Sequence, residues 1–169
     1  MKIIIATDGG LNVEKTAELA VRLVGDGSIT VLTVVEVPRS LLADLRGAYG
    51  ERPPMSIDAD AEYVGSAPPA PTLAASWPGD DAMIQRYVET QTEQRTAKLV
   101  AAIGALGHTA QVVAEEGENA VADILAACRD RGADILIVGT HGRGRFEGLL
   151  GSVSTKLSRS AGCSVLLVR

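Results

Sequence analysis

The chain has 169 residues, the length of one ordinary domain, so the sequence predicts a single hydrophobic core. Its formal net charge of −5 argues against nucleic acid and anionic membranes as partners, because both attract basic surfaces. Apolar residues make up 46% of the chain and aromatic residues only 3%, which predicts an aliphatic core of the kind found in parallel sheets. No apolar run approaches the roughly 18 residues of a membrane helix and no signal-like segment opens the chain, so we expect a cytoplasmic protein.

The first forty residues predict two strands joined by a helix. The apolar run Lys2–Ala6 meets the turn sequence Thr7–Gly10 and indicates a buried strand. Ile29–Val35 is rich in β-branched residues and predicts the second strand. The helix between them should end near Gly25, and its buried face is predicted from apolar residues at helical spacing: Val13, Ala17, Ala20, Val21 and Val24.

A proline-rich segment interrupts this pattern. All seven prolines lie between Pro38 and Pro78, so regular structure cannot run through the segment. We predict one domain over 1–169 that carries an insertion at about 38–79, with a short helix around Leu41–Leu45. The residues expected to anchor the insertion are aromatic: Tyr49, Tyr63 and Trp77.

Alternating helices and strands return after the insertion. A long helix from Asp80 through Leu106 should end at Gly107, and a later helix has Val121, Ile124, Leu125 and Cys128 on its buried face. A last helix starts near Ser152. The predicted strands are Ala110–Ala114, Asp134–Val138 and Ser164–Val168. This order predicts an α/β fold with a doubly wound parallel sheet and helices on both faces.

Two cysteines, Cys128 and Cys163, are too few for a disulfide framework, and no Cys or His spacing is typical of a metal site. We therefore predict that both are free thiols. The sequence assigns no metal-ligating residue and no catalytic residue.

Glycine-rich turns are the segments with recognisable chemistry. Ligands of doubly wound sheets bind beyond the carboxyl ends of the strands, where Thr7–Gly10 and Gly139–Gly144 both lie. Glycines let backbone amides surround phosphate oxygens, and the start of the following helix favours an anion. Arg143 and Arg145 add positive charge. The arrangement predicts a phosphate-bearing small molecule, although no P-loop and no Gly-x-Gly-x-x-Gly dinucleotide fingerprint is present.

The glycine loop reads Gly139-Thr-His-Gly142, then eight residues, then Gly151-Ser152-Val153-Ser154. With the segments Ile5–Gly9, Thr30–Val35, Gly117–Ala120 and Gly132–Thr140, the ordered set resembles the universal stress protein family. ATP-binding members of that family have Gly-x-x-Gly, nine further residues, and then Gly-Ser or Gly-Thr.

The resemblance implies a five-stranded sheet of order 3-2-1-4-5 with the adenine nucleotide alpha hydrolase-like fold. It also implies a regulatory stress-response protein that binds an adenine nucleotide, ATP first, with Mg²⁺ accompanying the phosphates. Family members commonly dimerise through their last strands, so a homodimer through Cys163–Val168 is expected. The residues that the resemblance assigns to the nucleotide are Ala6, Thr7, Asp8, Val34, Val138, Gly139, Gly142, Arg143, Gly151, Ser152, Val153 and Ser154.

Two departures from the family pattern leave alternatives open. The loop is one residue shorter, and Glu147 adds a negative charge inside it. Such a loop could close on ATP by starting the helix differently, could favour AMP or cyclic AMP, or could bind nothing.

Some residue roles and two other functions also remain open. Asp8 could cap the helix that begins near Asn12, and Ser152 and Ser154 could be helix caps. One rival function is a weak ATPase, with hydrolysis aided by a metal and by Asp8 or a water held by Glu147. The other is a nucleotide-free dimeric scaffold that binds partners through the insertion.

Overall fold

The computed structural model describes residues 1–38, 40–48, 78–140 and 151–169. Residues 1–36 and 88–169 form one compact unit, and residues 37–87 form a second. The predicted anchors of the insertion, Tyr49, Tyr63 and Trp77, lie outside the described residues. Among the helices of the described part, none combines the length and hydropathy that a bilayer span requires.

The first unit is built on a five-stranded sheet in which every paired strand is parallel. Its strands are β1 (Lys2–Ala6), β2 (Ser28–Val35), β3 (Ala110–Glu116), β4 (Ile135–Gly139) and β5 (Ser164–Val168). They lie in the order β3-β2-β1-β4-β5, which confirms the predicted topology. Ile5 of β1 aligns with Val31 on one side and Ile137 on the other. The central strand is therefore β1, and its two neighbours are β2 and β4.

Helices cover both faces of this sheet, as the sequence predicts. They are α1 (Val13–Val24), α3 (Asp80–Ala105, with its residues from Val88 onward in this unit), α4 (Ala120–Arg131) and α5 (Ser152–Ser160). Ile3 and Ile5 pack with α1 and α3 on one face, and Ile4 packs with α4 and α5 on the other. Because alternate side chains of a strand point to opposite faces, the apolar run of β1 fills two cores at once.

The observed bounds of β3 and β4 differ from the predicted ones, and both differences involve charged residues at the end of a strand. β3 continues through Glu115 and Glu116, beyond the predicted end at Ala114. β3 is an edge strand, so its charged side chains reach water while the backbone stays paired with β2. β4 begins at Ile135 rather than Asp134, whose carboxylate accepts a hydrogen bond from the Lys2 amide at 2.6 Å.

The second unit contains α2 (Leu41–Ala48), which begins where the short helix is predicted and extends three residues further. The Arg46 guanidinium donates to both carboxylate oxygens of Asp80, at 2.6 and 2.5 Å. This ion pair joins α2 to the first residue of α3. It therefore links the two described stretches that flank segment 49–77.

Candidate functional site

A cavity of about 280 Å³ opens at the carboxyl ends of β1, β2 and β4. The chain moves from β1 outward to β2 and β3, and then returns to the other side of β1 to form β4 and β5. The sheet order therefore reverses between β1 and β4. This reversal point is where doubly wound sheets bind ligands, because the loops leaving the two strands diverge there.

Ten of the twelve residues assigned from the sequence line this cavity. They are Ala6, Thr7, Asp8, Val34, Val138, Gly139, Gly151, Ser152, Val153 and Ser154. The other two, Gly142 and Arg143, lie outside the described residues, as do Arg145 and Glu147. The fold thus brings together segments that are more than a hundred residues apart in the sequence.

Five further residues line the cavity, and none of them was assigned to the ligand from the sequence. They are Leu11, Leu32, Ala120, Ile124 and Leu157. Leu32 and Leu157 are fully buried, so hydrophobic periodicity identifies them only as core. Ala120 and Ile124 belong to the first turns of α4, which begins at the same edge of the sheet. Their position in a helix that starts after a parallel strand is the sequence signal by which these two residues could have been recognised as lining residues.

The turn after β1 is held by its own side chains. The Gly9 amide donates to Thr7 Oγ1 and the Gly10 amide donates to Asp8 Oδ1, both at 2.9 Å. Gly9 has a φ of 90°, a conformation that residues with a Cβ rarely adopt. Asp8 therefore shapes this turn with one oxygen, and its other oxygen accepts no hydrogen bond from the described residues.

Asp8 does not cap α1, because Asn12 does so by accepting a hydrogen bond from the Lys15 amide at 3.1 Å. The alternative in which Asp8 serves as the helix cap is therefore removed. The carboxylate of Asp8 lies at the cavity, as the strand-end position predicts.

The start of α5 lies at the cavity and carries backbone amides that bond to none of the residues that the structure describes. The Gly151 amide donates to the Thr140 carbonyl at 2.8 Å, so it is engaged within the protein. The next three amides, Ser152–Ser154, have no hydrogen-bond partner among the described residues, and no side chain caps the helix. Three donors and the positive end of the helix dipole thus meet at one wall of the cavity.

The two serines at this helix start differ in what their hydroxyls do. Ser154 is buried, and its hydroxyl donates to the Gly139 carbonyl at 2.6 Å. A hydroxyl has one hydrogen, so Ser154 cannot donate it to a ligand while this bond is formed. Ser152 is exposed and lines the cavity, so its hydroxyl is the available donor.

Charge within the described lining is sparse. Asp8 is the one charged side chain among the described residues that line the cavity. No group of three or more His, Cys, Asp or Glu residues in the described part of the chain is arranged to hold a metal ion. Among these residues, positive potential for an anion therefore comes from the backbone of α5.

Replacing Ser154 by alanine should destabilise the fold by about 0.5–1.5 kcal/mol, because the hydrogen bond from its hydroxyl to the half-buried Gly139 carbonyl is lost. Ser158→Ala is the matched control on the same helix, where an exposed hydroxyl donates to the Thr155 carbonyl. Both changes replace serine by alanine within the helix and so alter helix propensity equally. The free energy of unfolding of the control should stay within about 0.5 kcal/mol of the wild-type value. Urea unfolding measures both. Equal stability of the two variants would contradict the structural role of Ser154.

No curated protein sequence matches this chain. Solved structures of low identity do match it over nearly its whole length. A universal stress protein from Archaeoglobus fulgidus has a TM-score of 0.58 and 16% identity, covering 100% of this chain and 93% of that chain. A universal stress protein in complex with cAMP has a TM-score of 0.55 and 16% identity, covering 100% of this chain and 96% of that chain.

The Archaeoglobus fulgidus protein in complex with dAMP has a TM-score of 0.54 and 17% identity, covering 100% of this chain and 98% of that chain. At these identities the likeness supports the fold, and it agrees with the predicted adenine nucleotide alpha hydrolase-like architecture. The model of the universal stress protein family matches residues 1–169. The chain therefore belongs to the universal stress protein family.

Proposed function

We propose that the protein is a regulatory stress-response protein that binds an adenine nucleotide in the cavity at the carboxyl ends of β1, β2 and β4. The observation that carries this proposal is the set of three amides at the start of α5, Ser152–Ser154, that have no hydrogen-bond partner in the described part of the chain. An anion at a helix start is stabilised by these donors and by the helix dipole. A phosphate group would satisfy donors that otherwise need water.

The remaining walls suit a base and a ribose. Ala6, Val34 and Val138 are aliphatic residues at the ends of three adjacent strands, and they offer apolar contacts to a purine. Asp8 would accept a hydrogen bond from a ribose hydroxyl with its second carboxylate oxygen. The base would therefore lie toward the strand ends and the phosphates toward α5.

In the proposed site, the Gly142 amide would donate a hydrogen bond to a phosphate and the positive charge of Arg143 would stabilise it, as the family resemblance implies. A divalent ion such as Mg²⁺ would be held chiefly by phosphate oxygens and water, since Asp8 is the one carboxylate in the described lining. Two similar structures hold cAMP or dAMP, which supports an adenine nucleotide as the ligand class.

Calorimetric titration of the purified chain with ATP, AMP and cyclic AMP, each with and without Mg²⁺, tests the proposal. We expect saturable binding of at least one of them, with ATP first, and weaker binding of GTP at the same concentrations. Phosphate release over hours should stay slow, because no residue is assigned as a general base. Absence of binding by all three nucleotides would refute the proposal and leave the nucleotide-free scaffold.

We further propose a homodimer formed by pairing of β5 with its counterpart. β5 is an edge strand whose residues Val165–Leu167 are half-buried in this single chain. Ser164 and Val168 bond toward β4, so the alternating amides of Val165 and Leu167 point away from the sheet. An apolar edge with free donors is suited to pairing with a second strand.

Val165→Pro tests this dimer, because proline removes an outward amide and leaves the ladder with β4 intact. We expect sedimentation velocity to give a dimer for wild type and a monomer for the variant. A wild-type monomer at micromolar concentration would contradict the proposed dimer without affecting the nucleotide site.

A further inference from the structure

The two cysteines lie on the same side of the sheet, in one apolar cluster. Cys128 is a buried residue of α4 and belongs to the core formed by α4, α5 and the sheet. Cys163 is half-buried, directly precedes β5 and packs against the same core. The tertiary structure therefore joins two thiols that are 35 positions apart in the sequence (163 − 128).

Backbone hydrogen bonds connect the segments that carry the two thiols: the Ala133 amide donates to the Cys128 carbonyl at 2.9 Å, and the Ser164 amide donates to the Asp134 carbonyl at 3.2 Å. Burial is the largest of the effects that together raise the pKa of the Cys128 thiol to about 12, and the neighbouring Cys163 side chain contributes the rest through its charge and hydrogen bonding. Cys128 thus stays protonated and unreactive on its own near neutral pH. In the single chain, Cys163 is half-buried and is the thiol that a small oxidant in solvent can reach.

We propose that Cys128 and Cys163 are a redox-modification site, in which a hydroperoxide converts the two thiols to a reversible intrachain disulfide. The proposal is independent of nucleotide binding. The pair lies toward the amino ends of β4 and β5, since Cys163 precedes the residue that aligns with Ile135, whereas the cavity lies at the carboxyl ends.

The chemistry proceeds in two balanced steps. The Cys163 sulfur attacks the peroxide oxygen, the O–O bond breaks, and the products are a sulfenic acid on Cys163 and water or an alcohol. The Cys128 sulfur then displaces the hydroxyl of that sulfenic acid, whose departing oxygen takes the Cys128 proton and leaves as water. The two thiols lose two electrons and two protons in total, and the peroxide is the group reduced.

The local structure favours the second step over further oxidation of Cys163. Cys128 is held by the packing of α4 in the cluster that Cys163 packs against, so its sulfur stays on the same side of the sheet as the new sulfenic acid. The high pKa of Cys128 should make closure slow, on a scale of minutes to hours.

Treatment of the reduced full-length protein with hydrogen peroxide, followed by intact-mass analysis and peptide mapping without reductant, tests the proposal. We expect a mass lower by two hydrogen atoms, a cross-linked peptide pair containing Cys128 and Cys163, and full reversal by dithiothreitol. Closing this loop should raise Tm by about 5–10 °C relative to the reduced protein.

Two variants separate the steps. Cys163→Ser should leave Cys128 unmodified under the same treatment, because the remaining thiol is buried. Cys128→Ala should stop at a sulfenic acid on Cys163, which dimedone captures. If Cys128→Ala does not fold, the wild-type peptide map and the Cys163→Ser variant still test whether the disulfide forms.

Three results would overturn the proposal. One is addition of two or three oxygen atoms to Cys163 with no cross-link, and another is an interchain Cys163 disulfide on a non-reducing gel. The third is no change in mass over several hours of treatment.

Discussion

Ser152→Pro should lower the affinity for the adenine nucleotide by about 10- to 100-fold and leave the fold intact. The expected loss corresponds to one hydrogen bond to a charged group. Proline removes the amide of the first residue of α5, which donates to no backbone group within the helix. Calorimetric titration with the nucleotide that binds wild type measures the effect.

The local backbone already suits this substitution. Proline is well tolerated at the first position of a helix, where its fixed φ matches the helix. The preceding Gly151 has φ of −60° and ψ of 153°, the extended conformation that a residue before proline adopts. The thermal unfolding midpoint should therefore shift by no more than about 2–4 °C.

Ser152→Ala is the matched control, since it removes the hydroxyl and keeps the amide. We expect its affinity to fall by no more than about fivefold, the effect of one neutral hydrogen bond. If the proline variant binds as tightly as wild type, the start of α5 does not hold the phosphate. If the alanine variant loses as much affinity as the proline variant, the hydroxyl rather than the amide is the important donor.

Ala120→Leu should reduce nucleotide affinity by more than about tenfold by filling the space for the ligand. Ala120 is the first residue of α4 and lines the cavity of about 280 Å³. That volume is just below the range of roughly 300–1,000 Å³ that is usual for small-molecule sites, so three added carbons are a substantial obstruction. Leucine is nearly as good a helix former as alanine.

Ala122→Leu provides the control, because Ala122 lies two residues further along α4 on its exposed side. The free energies of unfolding of both variants, measured by urea titration, should lie within about 1 kcal/mol of the wild-type value. Affinity should be unchanged for Ala122→Leu. Retention of wild-type affinity by Ala120→Leu would place the ligand outside this cavity, whatever the result at Ser152.

These two experiments address different walls of the site. Ser152→Pro removes a donor from α5, and Ala120→Leu narrows the space beside α4. Loss of affinity in both variants, with both controls unaffected, would assign the phosphates and the body of the nucleotide to one cavity. Loss in one variant alone would identify which wall the ligand contacts.

Much of the fold follows from local sequence patterns. The apolar runs that became β1 and β4 lie between turn residues, so their bounds are correct to within one residue. The predicted third strand ends two residues before β3 does, because the charged residues Glu115 and Glu116 resemble the start of a loop. Strand pairing at an edge tolerates charges whose side chains reach water, and a prediction from composition does not account for that.

The residues of the candidate site were also largely accessible from the sequence. Turn residues after a buried strand and glycines before a helix occur at the carboxyl edge of any doubly wound sheet. Asp8, Gly139 and Ser152 could therefore be placed near one another without coordinates. Leu32 and Leu157 could not be recognised as lining residues, because a core leucine and a cavity leucine have the same pattern in the sequence.

The sequence alone determined the alternation of strands and helices, the aliphatic core and the edge of the sheet where polar and glycine residues collect. The tertiary structure alone decided how individual groups are engaged: the Ser154 hydroxyl with Gly139, the Gly151 amide with Thr140, and Cys128 in the cluster that Cys163 packs against. Residue type establishes that a group can donate a hydrogen or lose a proton. The partner that it meets depends on distances of a few ångströms between distant segments, which are fixed only when the helices pack on the sheet.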